Sequence, residues 1–259
     1  MLKINALGQT GIQVSSLGLG TVKFGRNQSV KYPEHFELPS DEHIVDLLDT
    51  AKKLGINTLD TAPAYGSSEQ RLGKLLHDRK DWVIIGKAGE TFEHGISDYN
   101  FTADFINRSV ENSLKNLNSD YLDVLLIHSN GDDVNIIQKY KVFETLEKLK
   151  AQKMIRAYGM STKTIEGGLL TIAQADVAMV TYNAMALDEK PVIDLAFKKN
   201  KGILIKKALA SGHLNKIADF IFQTPGVSSV IIGTLSPIHL QEHVLSAIQA
   251  QGENNAFNS

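Results

Sequence analysis

Apolar residues recur along the chain in a repeating order that predicts alternating strands and helices. Between Ser40 and Gly55 the apolar positions fall three or four residues apart, which predicts an amphipathic helix. Short apolar runs, each followed by another helical pattern, predict strands. The predicted strands cover residues 17–20, 56–60, 82–86, 121–127, 155–159, 176–181, 202–206 and 229–232, and the predicted helices cover 41–54, 68–77, 102–117, 137–151, 163–173, 188–199, 214–223 and 236–250. Eight such β/α units predict a (β/α)8 TIM barrel, forming a single domain over residues 1–250.

Three segments lie outside this repeat. Residues 3–8 and 11–15 alternate around a glycine-rich turn, which predicts an N-terminal β-hairpin. Residues 23–40 are predicted to form a loop, and loops of that length in a compact domain are usually functional or mobile. The polar residues 251–259 are predicted to be a disordered tail.

Composition mainly excludes classes of protein. The formal net charge is −2, which does not favour a nucleic-acid or anionic-membrane partner. The absence of cysteine excludes disulfides, thiolate metal sites and a cysteine nucleophile. The start of the chain lacks the apolar core of a secretory signal, and no apolar run approaches ~18 residues, so we expect a cytoplasmic protein without a membrane span. Nothing in the pattern specifies an oligomeric state.

Four side chains with useful chemistry follow successive predicted strands: Asp60, Tyr65, Lys87 and His128. The carboxyl ends of barrel strands meet at one face, where barrel active sites collect, so we expect these side chains to lie together. Singly, each has an ordinary explanation, respectively a helix cap, a packing residue, an edge charge and a core histidine. Their coincidence at consecutive strand ends favours a catalytic site.

The same residues carry a resemblance to a known family. Residues 60–66 contain Asp-Thr-Ala-x-x-Tyr-Gly, followed by Glu69 and then by Leu72-Gly73. With the lysine and histidine in order behind it, this pattern resembles the aldo-keto reductase family, and the resemblance extends from about residue 7 to residue 234. It implies reduction of a small-molecule aldehyde or ketone with NADPH, with NADH also possible.

The resemblance implies a role for each of the four residues. Tyr65 would donate a proton to the carbonyl oxygen while the nicotinamide transfers a hydride. Free tyrosine has a pKa near ~10 and is a weak acid at neutral pH. We therefore expect Lys87 to lower the pKa of Tyr65, because a nearby cation favours phenolate. Asp60 would hold the lysine, and His128 would orient the carbonyl oxygen through a hydrogen bond.

The resemblance also implies a cofactor site, in which several side chains depart from the family pattern. Ser161 matches the serine that bonds the nicotinamide carboxamide, whereas Thr162 replaces an asparagine, Met179 a glutamine and Lys206 a stacking aromatic. His239 stands where a basic residue, usually arginine, contacts the adenosine 2′-phosphate. The full set of predicted cofactor contacts is Gly20, Thr21, Ser161, Thr162, Met179, Lys206, Ala208, Leu209, Ser211, Gly212, Leu214, Gly233, Thr234, His239, Glu242 and His243.

Other functions stay open at this point. The altered cofactor positions are compatible with a weakly active or non-catalytic barrel that senses redox state or binds a partner. A Schiff-base aldolase using Lys87 is a further alternative. His239 and His243 lie four residues apart on one predicted helix, but the sequence lacks the ligand patterns of a metal site, and none is predicted.

The pocket mouth is predicted to comprise the loop after Thr21 and a second loop at residues 89–100, which includes Phe92 and His94. Little chain follows the last predicted helix to narrow this mouth. We therefore expect few contacts that discriminate substrates, and broad substrate selection.

Overall fold

A computed structural model describes residues 1–256 of the chain, with side-chain exposure described to residue 252. The strands, in chain order, are β1 (Ile4–Ala6), β2 (Gln13–Ser15), β3 (Leu17–Gly20), β4 (Thr58–Asp60), β5 (Val83–Ala88), β6 (Glu90–Glu93), β7 (Ile96–Tyr99), β8 (Leu122–His128), β9 (Ile155–Ser161), β10 (Val177–Thr181), β11 (Gly202–Lys206) and β12 (Val227–Ile232). Strands β1 and β2 pair as the predicted N-terminal hairpin.

The helices mostly alternate with these strands. They are α1 (Val22–Gly25), α2 (Asp41–Lys53), α3 (Ser68–Leu75), α4 (Ala103–Asn116), α5 (Asp133–Gln138), α6 (Val142–Ala151), α7 (Ile165–Gln174), α8 (Lys190–Lys199), α9 (Asp219–Gln223) and α10 (Pro237–Ala256). Within residues 1–256, no helix is both long enough and apolar enough to cross a bilayer.

Eight of the strands close into a parallel barrel, in the order β3, β4, β5, β8, β9, β10, β11 and β12. The last strand returns to the first, with Val230 opposite Leu17 and Ile232 opposite Leu19. The predicted (β/α)8 barrel is therefore confirmed. Because all eight strands run in the same direction, their carboxyl ends meet at one face of the molecule.

Two apolar clusters hold this architecture together. One fills the barrel interior, and three hairpin residues, Leu7, Ile12 and Val14, belong to it, so the hairpin covers one end of the barrel. The other cluster lies between the strands and the surrounding helices. Burying each large aliphatic side chain contributes about 1.5–3 kcal/mol, which makes these clusters the main source of stability.

Strand periodicity carries polar side chains into the barrel at its carboxyl end. Successive strand residues point to opposite faces, so every second residue faces the interior. On β5, Val83 and Ile85 belong to the interior cluster, and Lys87 is the next residue on that face. On β8, Val124 and Leu126 are interior, and His128 follows them. The same alternation that fills the core therefore aims the lysine and histidine at one face.

Gly159 permits a close approach between two barrel strands. It pairs with Val177 of β10, and a Cβ added at Gly159 would lie 1.6 Å from the Val177 carbonyl oxygen. Any larger residue would force β9 and β10 apart, which would move the strand that ends at Ser161.

Several predicted element boundaries are wrong. The segment after β5 is not a plain loop, since β6 and β7 pair as a second hairpin around His94 and Gly95, which both have positive φ. The helix predicted at 137–151 is two helices, separated where Lys141 adopts a left-handed conformation that an α-helix cannot continue. The helix predicted at 214–223 begins only at Asp219.

The start of the long loop and the last helix of the chain also differ from expectation. The short helix α1 occupies the start of the predicted loop 23–40. Helix α10 continues to Ala256, beyond its predicted end at 250. Residues 257–259 lie outside the described residues, and the predicted disordered tail remains a prediction.

Candidate active site

A cavity of about 450 Å³ lies at the carboxyl ends of the barrel strands and is lined by Asp60, Tyr65, Lys87 and His128. The four strand-end residues singled out in the sequence are therefore brought together. A second cavity, of about 420 Å³, lies at the opposite end beside the N-terminal hairpin. Its described lining contains no histidine, tyrosine or carboxylate, so the chemically equipped cavity is the one at the strand ends.

Asp60 and Lys87 form an ion pair at the base of this cavity. The lysine Nζ lies 2.5 Å from Oδ1 of Asp60 and also donates to the Thr61 carbonyl oxygen at 3.2 Å. Only 2% of the lysine side chain and 6% of the aspartate side chain are exposed. Buried charges are tolerated when they are paired and hydrogen-bonded, and each partner here needs the other.

Tyr65 is held beside this pair by the short 3₁₀ turn Pro63–Tyr65 that follows β4. Its Oη donates a long hydrogen bond of 3.5 Å to Oδ2 of Asp60, and Lys87 Nζ lies 4.8 Å from its ring centroid. Proline sets the backbone for this turn, since its ring fixes φ near the helical value. The tyrosine hydroxyl is thus positioned by local chain geometry rather than by a regular helix or strand.

The pKa of Tyr65 is raised well above its ordinary value, chiefly by burial and then by the negative charge of Asp60, with smaller contributions from Tyr32 and Glu90. The expected lowering of the pKa of Tyr65 by Lys87 is therefore wrong for this arrangement. The physical reason is that burial and the Asp60 carboxylate outweigh Lys87, whose charge is partly compensated by Asp60 at 2.5 Å. The raised pKa favours the neutral phenol form of Tyr65.

His128 lies edge-on to Tyr65, with 6.1 Å between the ring centroids. Its Nδ1 is 2.8 Å from Oε2 of Glu90, although the contact lacks the alignment of a regular hydrogen bond. Burial lowers the pKa of His128, an effect that Glu90 opposes and Lys87 reinforces. Burial also opposes ionisation of Glu90, but His128, the Ser97 hydroxyl and Arg26 together bring the pKa of Glu90 down to about 2.

Nine of the predicted cofactor contacts line the same cavity: Gly20, Ser161, Met179, Lys206, Ala208, Leu209, Ser211, Gly212 and Gly233. The other seven do not line it: Thr21, Thr162, Leu214, Thr234, His239, Glu242 and His243. Thr21 is buried and its hydroxyl contacts the Asp60 carbonyl oxygen and Ser68, so its side chain supports β4 instead. His239 is exposed on the first turns of α10, whereas His243 is buried one turn later.

Lys206 occupies the place where the family pattern has an aromatic residue, and it makes polar contacts across the barrel. Its Nζ donates to Ser161 Oγ at 2.9 Å and to the Thr162 carbonyl oxygen at 2.5 Å. Burial lowers the pKa of Lys206 to about 7. The Thr162 hydroxyl is also buried, and it has no hydrogen-bond partner among the described residues. Polar hydrogen-bonding atoms are therefore available where the sequence predicted the nicotinamide carboxamide.

The segment after β11 has an unusual backbone. Lys207, Ala210 and Ser211 all have positive φ, which costs free energy for residues other than glycine. The loop 23–40 lies against this segment. A Cβ on Gly212 would meet Pro33 and Tyr32, and one on Gly233 would lie 2.7 Å from Tyr32 Oη. Tyr32 thus lies beside two of the three glycines predicted to contact the cofactor.

Several cavity residues were not identified from the sequence, including Arg26, Glu90, Ser97, Tyr99 and Lys163. Three of these lie on the β6–β7 hairpin. The signal available in the sequence was the alternation of residues on either side of His94-Gly95. Glycine at such a position is typical of a tight hairpin turn, because it readily adopts positive φ. The predicted mouth residues Phe92 and His94 do not line the cavity, and Phe92 packs instead against the Arg26 guanidinium, 3.5 Å from its ring centroid.

Among the described residues, no three histidine, cysteine, aspartate or glutamate side chains come together as a metal site. His239 and His243 therefore lack a third ligand of these types in the described part of the chain.

Comparison with known proteins places this geometry in a family. The sequence profile described as the Aldo/keto reductase family matches residues 16–220. A Pseudomonas aeruginosa protein of known structure, assigned to the aldo-keto reductases, is 47% identical with a TM-score of 0.89, over 96% of this chain and 95% of that one.

Curated relatives are more distant. L-galactose dehydrogenase of Arabidopsis thaliana is 29% identical over 83% of this chain and 68% of that protein. The NADH-specific methylglyoxal reductase of Escherichia coli is 29% identical over 67% of this chain and 58% of that protein. The alignments span from 40% to 71% of the relatives' own lengths. The profile match, the barrel and the assembled strand-end residues together show that the chain belongs to the aldo/keto reductase family.

Proposed function

We propose that this protein reduces aldehyde or ketone carbonyls to alcohols with a nicotinamide dinucleotide, using Tyr65 as the proton donor. The observation that carries the proposal is the buried arrangement of Tyr65 beside the Asp60–Lys87 pair, with His128 on the same cavity. The names of two relatives, a sugar dehydrogenase and a methylglyoxal reductase, describe chemistry of this general class.

The four residues divide the work on the substrate oxygen. The raised pKa of Tyr65 keeps its proton in place until negative charge develops on the carbonyl oxygen. As the proton leaves, Lys87 lies close enough to stabilise the phenolate. Asp60 holds the lysine in that position, and His128 orients the oxygen from the side.

The cavity residues fit a nicotinamide dinucleotide, which when bound supplies the hydride for the carbonyl carbon. Ser161 and Lys206 offer polar atoms for the carboxamide. Ser211, Gly212 and Gly233 offer closely approachable backbone for the pyrophosphate. Tyr32 lies beside these glycines, so we expect it to shift when the dinucleotide binds.

The direct test is loss of reduced-nicotinamide absorbance with a panel of aldehydes. Turnover of several aldehydes supports the proposal. The alternative of a weakly active or non-catalytic cofactor-binding barrel predicts cofactor binding, measured by fluorescence quenching, without turnover. An aldolase would instead cleave or condense carbonyl compounds without consuming cofactor.

We expect NADPH to bind with only a modest preference over NADH. The start of α10 offers helix amides and the Ser236 cap to an anion, but His239 cannot form the bidentate fork of an arginine. The His239→Arg variant is expected to gain roughly tenfold in NADPH affinity, since a charged hydrogen bond contributes about 1.5–3 kcal/mol, with little gain for NADH. Fluorescence titration of both cofactors measures the difference.

The matched control for that titration is His77→Arg, an exposed histidine just beyond α3. Equal gains for NADPH and NADH in the His239 variant, or the same gain in the His77 variant, would show that His239 does not face the 2′-phosphate.

Glu90 is expected to support His128 by favouring its protonated form. If Nδ1 of a neutral imidazole donates to Glu90, the other ring nitrogen can only accept, so donation to a carbonyl oxygen requires the imidazolium. Glu90→Gln removes the charge that raises the pKa of His128, and the limb of the pH–rate profile due to His128 should move to lower pH. We expect turnover near neutral pH to fall roughly tenfold, less than the ~10²–10⁴ typical of the acid itself.

Glu93→Gln provides the control, because Glu93 is exposed on the same hairpin. An unchanged pH profile in Glu90→Gln would mean that Glu90 supports only the packing of the hairpin.

A further inference from the structure

The cavity is far more cationic than the chain as a whole. Seven lysine or arginine side chains line it against two carboxylates, Asp60 and Glu90, although the whole chain has a formal net charge of −2. Clefts lined by one sign of charge concentrate ligands of the opposite sign. The excess of cations therefore indicates that the ligands of this cavity carry negative charge.

The two carboxylates account for only two of these cations. Asp60 pairs with Lys87, and Glu90 lies 3.8 Å from Arg26. The remaining five have no carboxylate within 4 Å among the described side chains, and they are Lys23, Lys31, Lys163, Lys206 and Lys207. Five amines thus face the cavity without an anionic partner.

Buried carboxylates behind the wall do not remove this excess. Asp133 accepts bonds from the backbone amides of Lys163 and Thr164 and from the Ser129 hydroxyl, and its charge raises the pKa of Lys206, so it offsets part of the charge of that lysine only. Burial raises the pKa of Glu189 to about 7 and lowers that of Lys206 to about 7, so neither group carries a full charge near neutrality, and the excess rests on Lys23, Lys31, Lys163 and Lys207.

A nicotinamide dinucleotide would neutralise only part of the excess. Its pyrophosphate carries two negative charges, and the adenosine 2′-phosphate is predicted near His239, which lies outside this cavity. Two of the free amines lie near aromatic residues that line the cavity. Lys163 Nζ is 5.8 Å from the ring centroid of Tyr99, and Lys206 is close enough to His128 to lower its pKa.

We propose that the carbonyl substrate is an anion that carries a carboxylate or phosphate group, with Lys163 as its principal contact. The inference rests on the proposed reductase function and names the substrate class of that site. Lys163 is exposed at the cavity wall and can follow an anionic group of variable position, whereas the Lys206 amine is held by Ser161 and the Thr162 carbonyl oxygen. A requirement for a negatively charged substrate is compatible with the broad range of substrate shapes predicted from the sequence.

The first experiment compares substrates of similar size and different charge. We expect kcat/KM for 4-carboxybenzaldehyde to exceed that for 4-formylbenzamide by roughly tenfold or more, as for one charged hydrogen bond. The amide is the more electrophilic aldehyde, so intrinsic reactivity works against the expected result. The kcat/KM of glyceraldehyde 3-phosphate relative to that of glyceraldehyde tests in the same way whether the anionic group can be a phosphate. Both ratios should fall with added salt.

Variants of Lys163 test whether this lysine causes the preference for the charged substrate. Lys163→Gln should lower the acid-to-amide ratio severalfold, and Lys163→Glu should lower it further. Lys148→Gln, an exposed lysine on α6 without an ion pair among the described residues, should leave the ratio unchanged. A wild-type ratio near one, or a ratio that neither Lys163 variant changes, overturns the inference.

A binding measurement keeps the two proposals separate. If neither aldehyde is reduced, the proposed reductase function fails. Calorimetric titration of the wild-type protein with benzoate and with benzamide then decides the charge inference by itself. Benzoate binding that is weakened by Lys163→Glu supports it, and equal or absent binding of both compounds refutes it.

Discussion

The Tyr65→Phe variant is expected to lose carbonyl reduction while it keeps its fold and its affinity for the cofactor. The change removes only the phenolic oxygen and its proton, and the ring can still pack against His128. Loss of the positioned acid should lower kcat about 10²–10⁴-fold. The measurements are steady-state turnover of one aldehyde and cofactor titration by fluorescence quenching, made on the same preparation.

Removal of this hydroxyl should not destabilise the protein greatly, because its hydrogen bond to Asp60 is long, at 3.5 Å. Tyr140→Phe, a partly exposed tyrosine on the loop between α5 and α6, is the matched control. Near-wild-type turnover in the Tyr65 variant would refute its assignment as the acid and would favour a water molecule or His128 in that role.

Lys87→Met is expected to reduce both turnover and stability. The substitution leaves Asp60 buried, without its counter-ion, beside a tyrosine whose pKa the same carboxylate already raises. Breaking a buried ion pair from one side costs about 3–5 kcal/mol. We expect turnover to fall ~10²-fold or more, because the phenolate that forms on Tyr65 would lose its nearby cation. Denaturant unfolding and a pH–rate profile measure the two effects separately.

A double variant distinguishes the structural and catalytic parts of this effect. Asp60→Asn combined with Lys87→Met removes both charges, so it should recover much of the lost stability without recovering turnover. Lys52→Met breaks an exposed ion pair with Asp81 and should have little effect on stability. If Lys87→Met kept the wild-type rate and pH profile, the lysine would have a structural role only.

Much of the fold was determined by local periodicity in the sequence. The alternation along β5 and β8 requires only the geometry of an extended chain, in which every second side chain shares a face. Once Val83 and Ile85 are assigned to the interior, Lys87 must follow them, and His128 follows Val124 and Leu126 for the same reason. Closure of eight parallel strands then brings these residues to one end. This is why four separated residues could be predicted to meet.

Turns and short loops were less predictable because their conformation depends on one or two residues. A single left-handed residue, Lys141, divides one predicted helix, and the His94-Gly95 turn converts a predicted loop into a hairpin. That hairpin matters for the site, since it carries Glu90, Ser97 and Tyr99 to the cavity. Periodicity identifies the long elements, whereas the residues that approach the site from connecting segments escape it.

The sequence alone therefore determined the barrel and the identity of the strand-end residues, and only the tertiary structure decided their electrostatics. Lys206 reaches Ser161 across 45 positions in the chain, and His128 meets Glu90 from a different β/α unit. The direction of the pKa shift of Tyr65 depends on burial and on which charge compensates Lys87. Coulomb interactions and desolvation vary with distances between remote segments. Those distances are set only when the barrel closes and its loops pack over the strand ends.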